Sequence, residues 1–507
     1  MKGDQMHIAD ILARLRGQPT RLVLVDAKGV ETVRTFHDLH CDTLRVAQRM
    51  RAMGIGSGCR VGIAAPSGYA WMAWDLACVE LGCISVALAN ERPTADWDEL
   101  IDTYQLSLLA VDSEWIASAS APDARVQPIE IDAPAIAVAL LSHPLQHAPG
   151  THSLVFSSGT TGKTKSLVIN RAGTEHLLNL YFEAFGVVPG ERFLTFLPFA
   201  NYQQRMIYYF CLHHGVEFVY VPFPLLFSGL KKHRPSFVIA PPVLYETLQV
   251  MARASAGAQG ANDPDVLTRK LAELTGGNIR YMITGMAPIK RAALNFFWRH
   301  GIALYEAFGI TEAGMVAWNK PGLMRVGSVG QPAEPGSVTL SDEGEVIIRR
   351  NALLSLGYHE ASEEDSRSTF LASDTVATGD IAQFDSEGFL HIIGRKKDAI
   401  ITSNGEKFHP EPIESLIQAD ARASVAVVLA NARHGLTAVI STKAQDDTHV
   451  LAALRAHVRQ INQDLPAQQQ IKEVLFTHLD FSIENGLRTK NMKLNRKAIA
   501  KAFLEGG

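Results

Sequence analysis

The chain has 507 residues, 47% of them hydrophobic and 20% charged, with a formal net charge of -4. That length predicts more than one domain, and that composition predicts an ordinary globular protein with a sizeable core. The near-neutral balance supplies no basic field for a phosphate backbone, so no nucleic-acid partner is expected.

The first 17 residues, MKGDQMHIADILARLRG, lack the long apolar stretch of a secretory signal. No run reaches the roughly 18 apolar residues of a membrane helix, and the best contender, Leu76 to Ala89, is broken by Glu80. No transmembrane segment is expected, and the cytoplasm is the expected location. The five cysteines (Cys41, Cys59, Cys78, Cys83 and Cys211) form no CxxC pair and read as reduced thiols. Eighteen histidines are scattered without HExxH spacing.

Along the chain, apolar strand-like runs alternate with helical stretches. A strand at Arg21–Val25 precedes a helix over Phe36–Met53; a strand at Arg60–Ala65 precedes a helix over Tyr69–Leu81. This alternation predicts βα units and a largely parallel sheet. The Ala/Pro-rich stretch from Ile116 to Gly150 reads as surface chain. Further strands are predicted at Phe193–Leu197 and in RYMITG, which ends at Gly285 after a helix starting near Leu271. A helix over Ile289–His300 follows. Beyond Val338 the texture turns to short strands with Gly turns. Two strands (Val425–Leu429, Leu436–Ser441), an amphipathic helix (Val450–Asp464) and a basic tail close the chain. A boundary near Lys397 divides it into residues 1–396 and 397–507.

The segment with most chemical content is SSGTTGKTK, Ser157 to Lys165, directly after an apolar strand. Small residues leave backbone N–H groups open to wrap phosphate oxygens, and Lys165 adds charge. A Walker loop requires Gly five positions before Gly162; Ser157 stands there, so that reading fails. A solvated glycine-rich hairpin remains the alternative for this segment by itself.

FSSGTTGKTKS resembles the phosphate loop of the acyl-adenylate-forming superfamily, usually [ST]SGTTGxPKG, with Thr164 in place of Pro and Ser166 in place of Gly. Other segments match that superfamily in order. YEAFGITEAG (Tyr305–Gly314) resembles the YGxTE motif, and Thr378-Gly379-Asp380 resembles TGD. GRKKD carries Arg395 and Lys397, and SNGEKFHPEPIE resembles GxxIxPxEIE. ENGLRTKNMKLNRKAI resembles the PKTxxGKxxR tail, with Met492 in place of Gly. That tail, with LPFANYQQR (Leu197–Arg205, Asn201 in place of His), is nearest to the long-chain acyl-CoA synthetase branch.

The resemblance implies an α/β fold: a large N-terminal part of βα subdomains plus a β-rich subdomain, and a small mobile C-terminal α/β cap. It implies ATP and Mg²⁺ as cofactors, a small-molecule carboxylic acid as substrate, and coenzyme A or carrier-protein phosphopantetheine as acceptor, so an acyl carrier protein is a possible partner. By the same resemblance the nucleotide is held by Ser157, Ser158, Gly159, Thr160, Thr161, Gly162, Lys165, Gly285, Ala307, Phe308 and Gly309. Asp380 serves the ribose, and Arg395 is a second ribose or phosphate contact. Lys493, Thr311 and Glu312 are the implied catalytic residues, Glu312 and Thr160 the metal ligands, and Lys397 the hinge. Asn201, Tyr202, Pro241, Gly285 and Met286 are the expected acyl pocket. No Asp stands at the start of Asn201–Gln204 to hold an ammonium, which argues against an amino-acid substrate. A nucleotide-binding protein with failed catalysis is the alternative of another class, resting on the departures at Thr164, Ser166, Asn201, Phe308 and Met492.

Overall fold

The computed structural model describes residues 5–88, 96–117, 123–134, 147–157, 165–359, 362–401, 407–431, 435–444, 446–482, 484–488 and 494–504. Two large sheets dominate. Among the described residues the first has nine strands. Its centre runs Leu304–Ile310, Tyr281–Thr284, Phe237–Ala240, Arg192–Thr195, Glu217–Tyr220 and Arg21–Val25, parallel throughout. The second has seven, with a parallel core of Thr151–Ser157, Ile84–Ala87, Arg60–Ala64 and Leu108–Val111. These central strands are apolar on both faces, as LLAV at Leu108–Val111 shows by being wholly buried.

The helices explain that double burial. One core lies between the sheets, where Phe36–Ala52, Tyr69–Leu81, Arg171–Phe185 and Tyr202–His214 pack on the inner face of each. A second core fills the outer face of the nine-stranded sheet, beneath Leu226–His233, Pro242–Gly260, Pro264–Thr275 and Arg291–Arg299. A third, under Trp97–Tyr104, covers the seven-stranded sheet. The layers therefore alternate helix, sheet, helix, sheet, helix.

Local chemistry sets the element ends. Thr35 and Asp38 form a reciprocal capping box at the start of Phe36–Ala52, and Gly82, at φ 66, terminates Tyr69–Leu81. The helix expected from Leu271 begins earlier, at Pro264. Asp263 caps it by accepting from the N–H groups of Asp265 and Val266, with Pro at the first position. The Ile289–His300 helix is shorter, Arg291–Arg299. Of the Ile116–Gly150 stretch, residues 118–122 and 135–146 lie outside the described residues.

An ion pair lies inside the middle layer. Arg205 and Asp75 are both fully buried, with Nη1 and Oδ1 3.2 Å apart. Tyr208 and Tyr209 donate to the other Asp75 oxygen. The five cysteines are all free, and Cys211, at 0% exposure, is sealed in the same layer.

A β-rich unit follows. Glu345–Arg349, Thr375–Phe384 and Leu390–Arg395 pair antiparallel around a small core of their own. After it, Val425–Asn431, Gly435–Ser441 and Ile471–Thr477 form a separate sheet packed by Glu411–Ile417, Thr448–Gln463 and Arg496–Phe503. This is the smaller, C-terminal part.

Candidate active site

Three adjacent parallel strands end together. Ala240 is in register with Thr284, and Thr284 with Glu306. One residue further, Pro241, Gly285 and Ala307 therefore form a single row at the carboxyl edge of the sheet, where open α/β sheets bind ligands. A Cβ on Gly285 would lie 3.1 Å from the Ala307 carbonyl oxygen, tighter than side chains ordinarily tolerate. The next residue, Met286, takes φ 71, a left-handed conformation uncommon outside glycine. Asn201 approaches along the chain from the Arg192–Thr195 strand and caps the helix Tyr202–His214 by accepting from Gln203 N–H.

Tyr202, expected in the acyl pocket, is the first residue of that helix. Its ring is core: 3% exposed, its hydroxyl 2.8 Å from Thr174 Oγ1, and the Arg205 guanidinium 4.6 Å above it. A buried cation and a hydroxyl partner hold it in the middle layer.

The strand Leu304–Ile310 continues into an antiparallel pair with Gly314–Trp318, bulged at Phe308/Gly309. Thr311, Glu312 and Ala313 form the turn. Gly309 is required there, because a Cβ would come within 2.5 Å of the Gly314 carbonyl oxygen. Phe308 is half-buried and packs one side against the β-rich core. Glu312 accepts from the Tyr358 hydroxyl at Oε1, 2.9 Å away. Its Oε2 accepts no hydrogen bond among the described residues, so an oxygen ligand for a hard cation remains available, and the residue fits Mg²⁺.

Lys165 opens the strand Lys165–Asn170 and stands opposite Ser157 in the hairpin with Thr151–Ser157. The Lys165 ammonium pairs with Asp365 at 2.7 Å and lies 5.0 Å from the centroid of the Tyr358 ring. The structure thus brings Lys165 to the ring and Glu312 to the hydroxyl of one tyrosine. Neither Tyr358 nor Asp365 was singled out by sequence. Tyr358 reaches the site because Ser355–His359 pairs with Lys165–Asn170, Tyr358 facing Leu167, a contact no local pattern encodes.

Asp380 and Arg395 face each other on neighbouring strands. The Thr378 hydroxyl accepts from Asp380 N–H, and Gly379, at φ 71, makes the turn inside the strand. Lys397, exposed, sits in the short turn Lys396–Asp398 that follows, and partial desolvation lowers its pKa.

The C-terminal part docks on the same edge. Lys290 Nζ donates to the Ser424 carbonyl at 3.1 Å, and Lys290 N–H to Glu246. Lys407 reaches back to Glu343 at 3.9 Å. Within the cap, Arg496 binds Glu414 and stands 3.5 Å from Glu411, whose carboxyl is pushed up to about 7, chiefly by burial.

Ser158, Gly159, Thr160, Thr161, Gly162 and Lys493 lie outside the described residues, and of Ser157 only the backbone is described. The residues flanking Lys493, Arg488 and Leu494, pair as a bridge, and Asn495 caps the helix Arg496–Phe503.

Residues 12–358 match the family described as AMP-binding enzyme, and residues 397–505 match the AMP-binding enzyme C-terminal domain. The chain belongs to the AMP-binding enzyme family. Among AMP-binding enzymes it is 25% identical to the long-chain-fatty-acid–CoA ligase FadD15 of Mycobacterium bovis, over 89% of this chain and 88% of that one. It is 22% identical to a 2-succinylbenzoate–CoA ligase of Bacillus cereus, over 76% and 77%. Its fold is similar to that of the anthranilate CoA ligase AuaEII in complex with anthranoyl-AMP (TM-score 0.79, 18% identity, 98% and 97% coverage). The o-succinylbenzoate CoA synthetase of Bacillus subtilis gives a TM-score of 0.75 at 18% identity, over 98% of each chain. No described helix is long and apolar enough to cross a membrane.

Proposed function

We propose that this AMP-binding enzyme activates a carboxylic acid with ATP, releasing pyrophosphate, and transfers the acyl group from the resulting acyl-adenylate to coenzyme A. The observation that carries this reading is the pairing of Lys165 and Glu312 on Tyr358 beside the row Pro241, Gly285 and Ala307. That pairing supplies a phosphate-binding cation and a carboxylate ligand near the carboxyl edge of the sheet.

In the first half-reaction a carboxylate oxygen attacks the α-phosphorus and the bond to pyrophosphate breaks. Positioning and charge stabilisation dominate such transfers. Lys165 draws the departing phosphates, Thr311 donates to the α-phosphate, and Asp380 with Arg395 fixes the ribose while Phe308 covers the adenine. Glu312, with Thr160, would hold Mg²⁺, which would supply charge neutralisation on the phosphates. Lys493 bridges carboxylate and α-phosphate as charge builds. In the second, a thiol sulfur attacks the acyl carbon and the bond to AMP breaks. One cap cannot serve both steps in one orientation, so residues 397–507 rotate against 1–396 about Lys397.

The named activities of the CoA-ligase relatives support coenzyme A as acceptor over a carrier protein. Asn201, Pro241, Gly285 and Met286 line the proposed acyl pocket, and their apolar setting favours a fatty or aryl acid. The test is a screen of fatty, aryl and amino acids for pyrophosphate release from MgATP. Acid-dependent pyrophosphate and AMP support the reading. Release of ADP would contradict it, and silence across the panel with retained ATP binding would favour a catalytically failed nucleotide binder.

A further inference from the structure

Tyr358 takes no part in the chemistry above, yet it touches two of the residues that do. Its position is fixed by three elements. The strand Ser355–His359 is zipped to Lys165–Asn170 by antiparallel pairing, and Ser166 Oγ donates to the His359 carbonyl, which ties the residue after Tyr358 to the residue after Lys165. The ring is braced edge-on against Phe370, centroids 5.2 Å apart. From that anchored ring the hydroxyl reaches Glu312 Oε1 at 2.9 Å, and the ammonium of Lys165 lies 5.0 Å from the ring centroid.

The two contacts have different physics. The hydroxyl fixes one oxygen of a carboxylate that sits in the turn Thr311–Ala313, where backbone pairing alone leaves the side chain free to rotate. With Oε1 held, Oε2 has a defined direction. The ring acts differently: it offers Lys165 an aromatic surface that attracts the ammonium. Asp365, on the other side of the ammonium, is an exposed partner that incoming phosphate can replace.

We propose that Tyr358 is a positioning residue for the adenylation step: its hydroxyl aims the Glu312 carboxylate at the metal ion, and its ring aims Lys165 at the phosphates. This rests on the reading of Glu312 and Lys165 given above. Groups that orient a metal ligand typically contribute about 10–100-fold in metal affinity.

The two contacts separate by substitution. Tyr358→Phe keeps the ring and removes the donor; Tyr358→Leu removes both. Each is compared with wild type and Glu312→Gln by Mn²⁺ binding, followed by electron paramagnetic resonance in the presence of α,β-methylene-ATP, and by the Mg²⁺ dependence of pyrophosphate release. Melting temperature without ligands controls for folding. Tyr358→Phe is expected to weaken Mn²⁺ about 10-fold and raise the Mg²⁺ requirement equally, with KM for ATP at saturating Mg²⁺ and melting temperature near wild type. Tyr358→Leu is expected to raise KM for ATP as well. Unchanged Mn²⁺ affinity in Tyr358→Phe beside a weakened Glu312→Gln would overturn the proposal and leave the proposed function standing. Unchanged affinity in both would remove Glu312 from the metal site and the proposal with it.

Discussion

Asp380 and Arg395 lie directly opposite one another on adjacent antiparallel strands, with the carboxylate Oδ1 2.6 Å from the guanidinium Nε. The carboxylate is buried, 3% exposed, while the arginine is partly open, so the pair presents one rigid edge rather than two mobile side chains. If that edge holds the ribose, Asp380→Ala removes charge-assisted hydrogen bonds of about 1.5–3 kcal/mol. KM for ATP should rise about 10- to 100-fold with a smaller change in kcat. An unchanged KM would make Thr378-Gly379-Asp380 a structural turn.

Lys493 and Lys397 divide the two half-reactions. Lys493→Ala is expected to abolish acid-dependent pyrophosphate release while sparing thioester formation from a preformed acyl-adenylate. Near-normal adenylation would move the role to another basic residue of the tail. Lys397→Pro fixes φ near about -65° and removes a donor. It should slow one half-reaction far more than the other. Equal losses would show general damage instead of a blocked rotation.

Glu306 ends the parallel part of its strand, and its carboxyl accepts from Gly327 N–H at 3.1 Å. Burial pushes it up to about 7, against the lowering effects of that N–H and of Arg291. A carboxyl raised in the folded state contributes stability that is full below its unfolded pKa, near 4.5, and is lost as pH rises to about 7. Glu306→Gln keeps an acceptor and removes the titration. Its melting temperature should match wild type near pH 4 and exceed it at pH 8, by at most about 3 kcal/mol in stability. A constant offset between the two pH values would show that Glu306 does not titrate in this window.

The pair Asp75–Arg205 makes a prediction about the middle layer. Arg205→Ala leaves a carboxylate buried without its cation, which typically costs about 3–5 kcal/mol. A large drop in melting temperature is expected, with most of it recovered in Asp75→Leu/Arg205→Met. Failure of the double variant to recover would assign the loss to packing around Tyr202 and Trp71.

How much of this was legible in the sequence follows from the range of each interaction. The βα texture was readable because burial on both faces makes strands such as Arg60–Ala64 apolar after their first residue, and the helix Tyr69–Leu81 was legible as a long apolar run with a closing glycine. The Pro264 start was signalled by Asp263-Pro264, a capping pair that apolar periodicity alone passes over. At the site, Gly285, Thr311, Glu312 and Asp380 stood out because short motifs carry them. Tyr358 and Asp365 did not, since their roles arise from strand pairing across nearly 200 residues. The burial of Tyr202 was not legible for a related reason: Arg205, three residues on, is a surface residue by type, and its pairing with distant Asp75 buries that helix face.

The central claim is that a carboxylate oxygen of the acid attacks the α-phosphorus of ATP. Supplying an accepted acid labelled with ¹⁸O in its carboxylate, together with MgATP and coenzyme A, tests it by mass spectrometry of the nucleotide product. The account predicts AMP carrying one ¹⁸O per turnover, because the bridging oxygen stays with phosphorus when the thiol takes the acyl group. Unlabelled AMP, or label appearing in inorganic phosphate beside ADP, would contradict it.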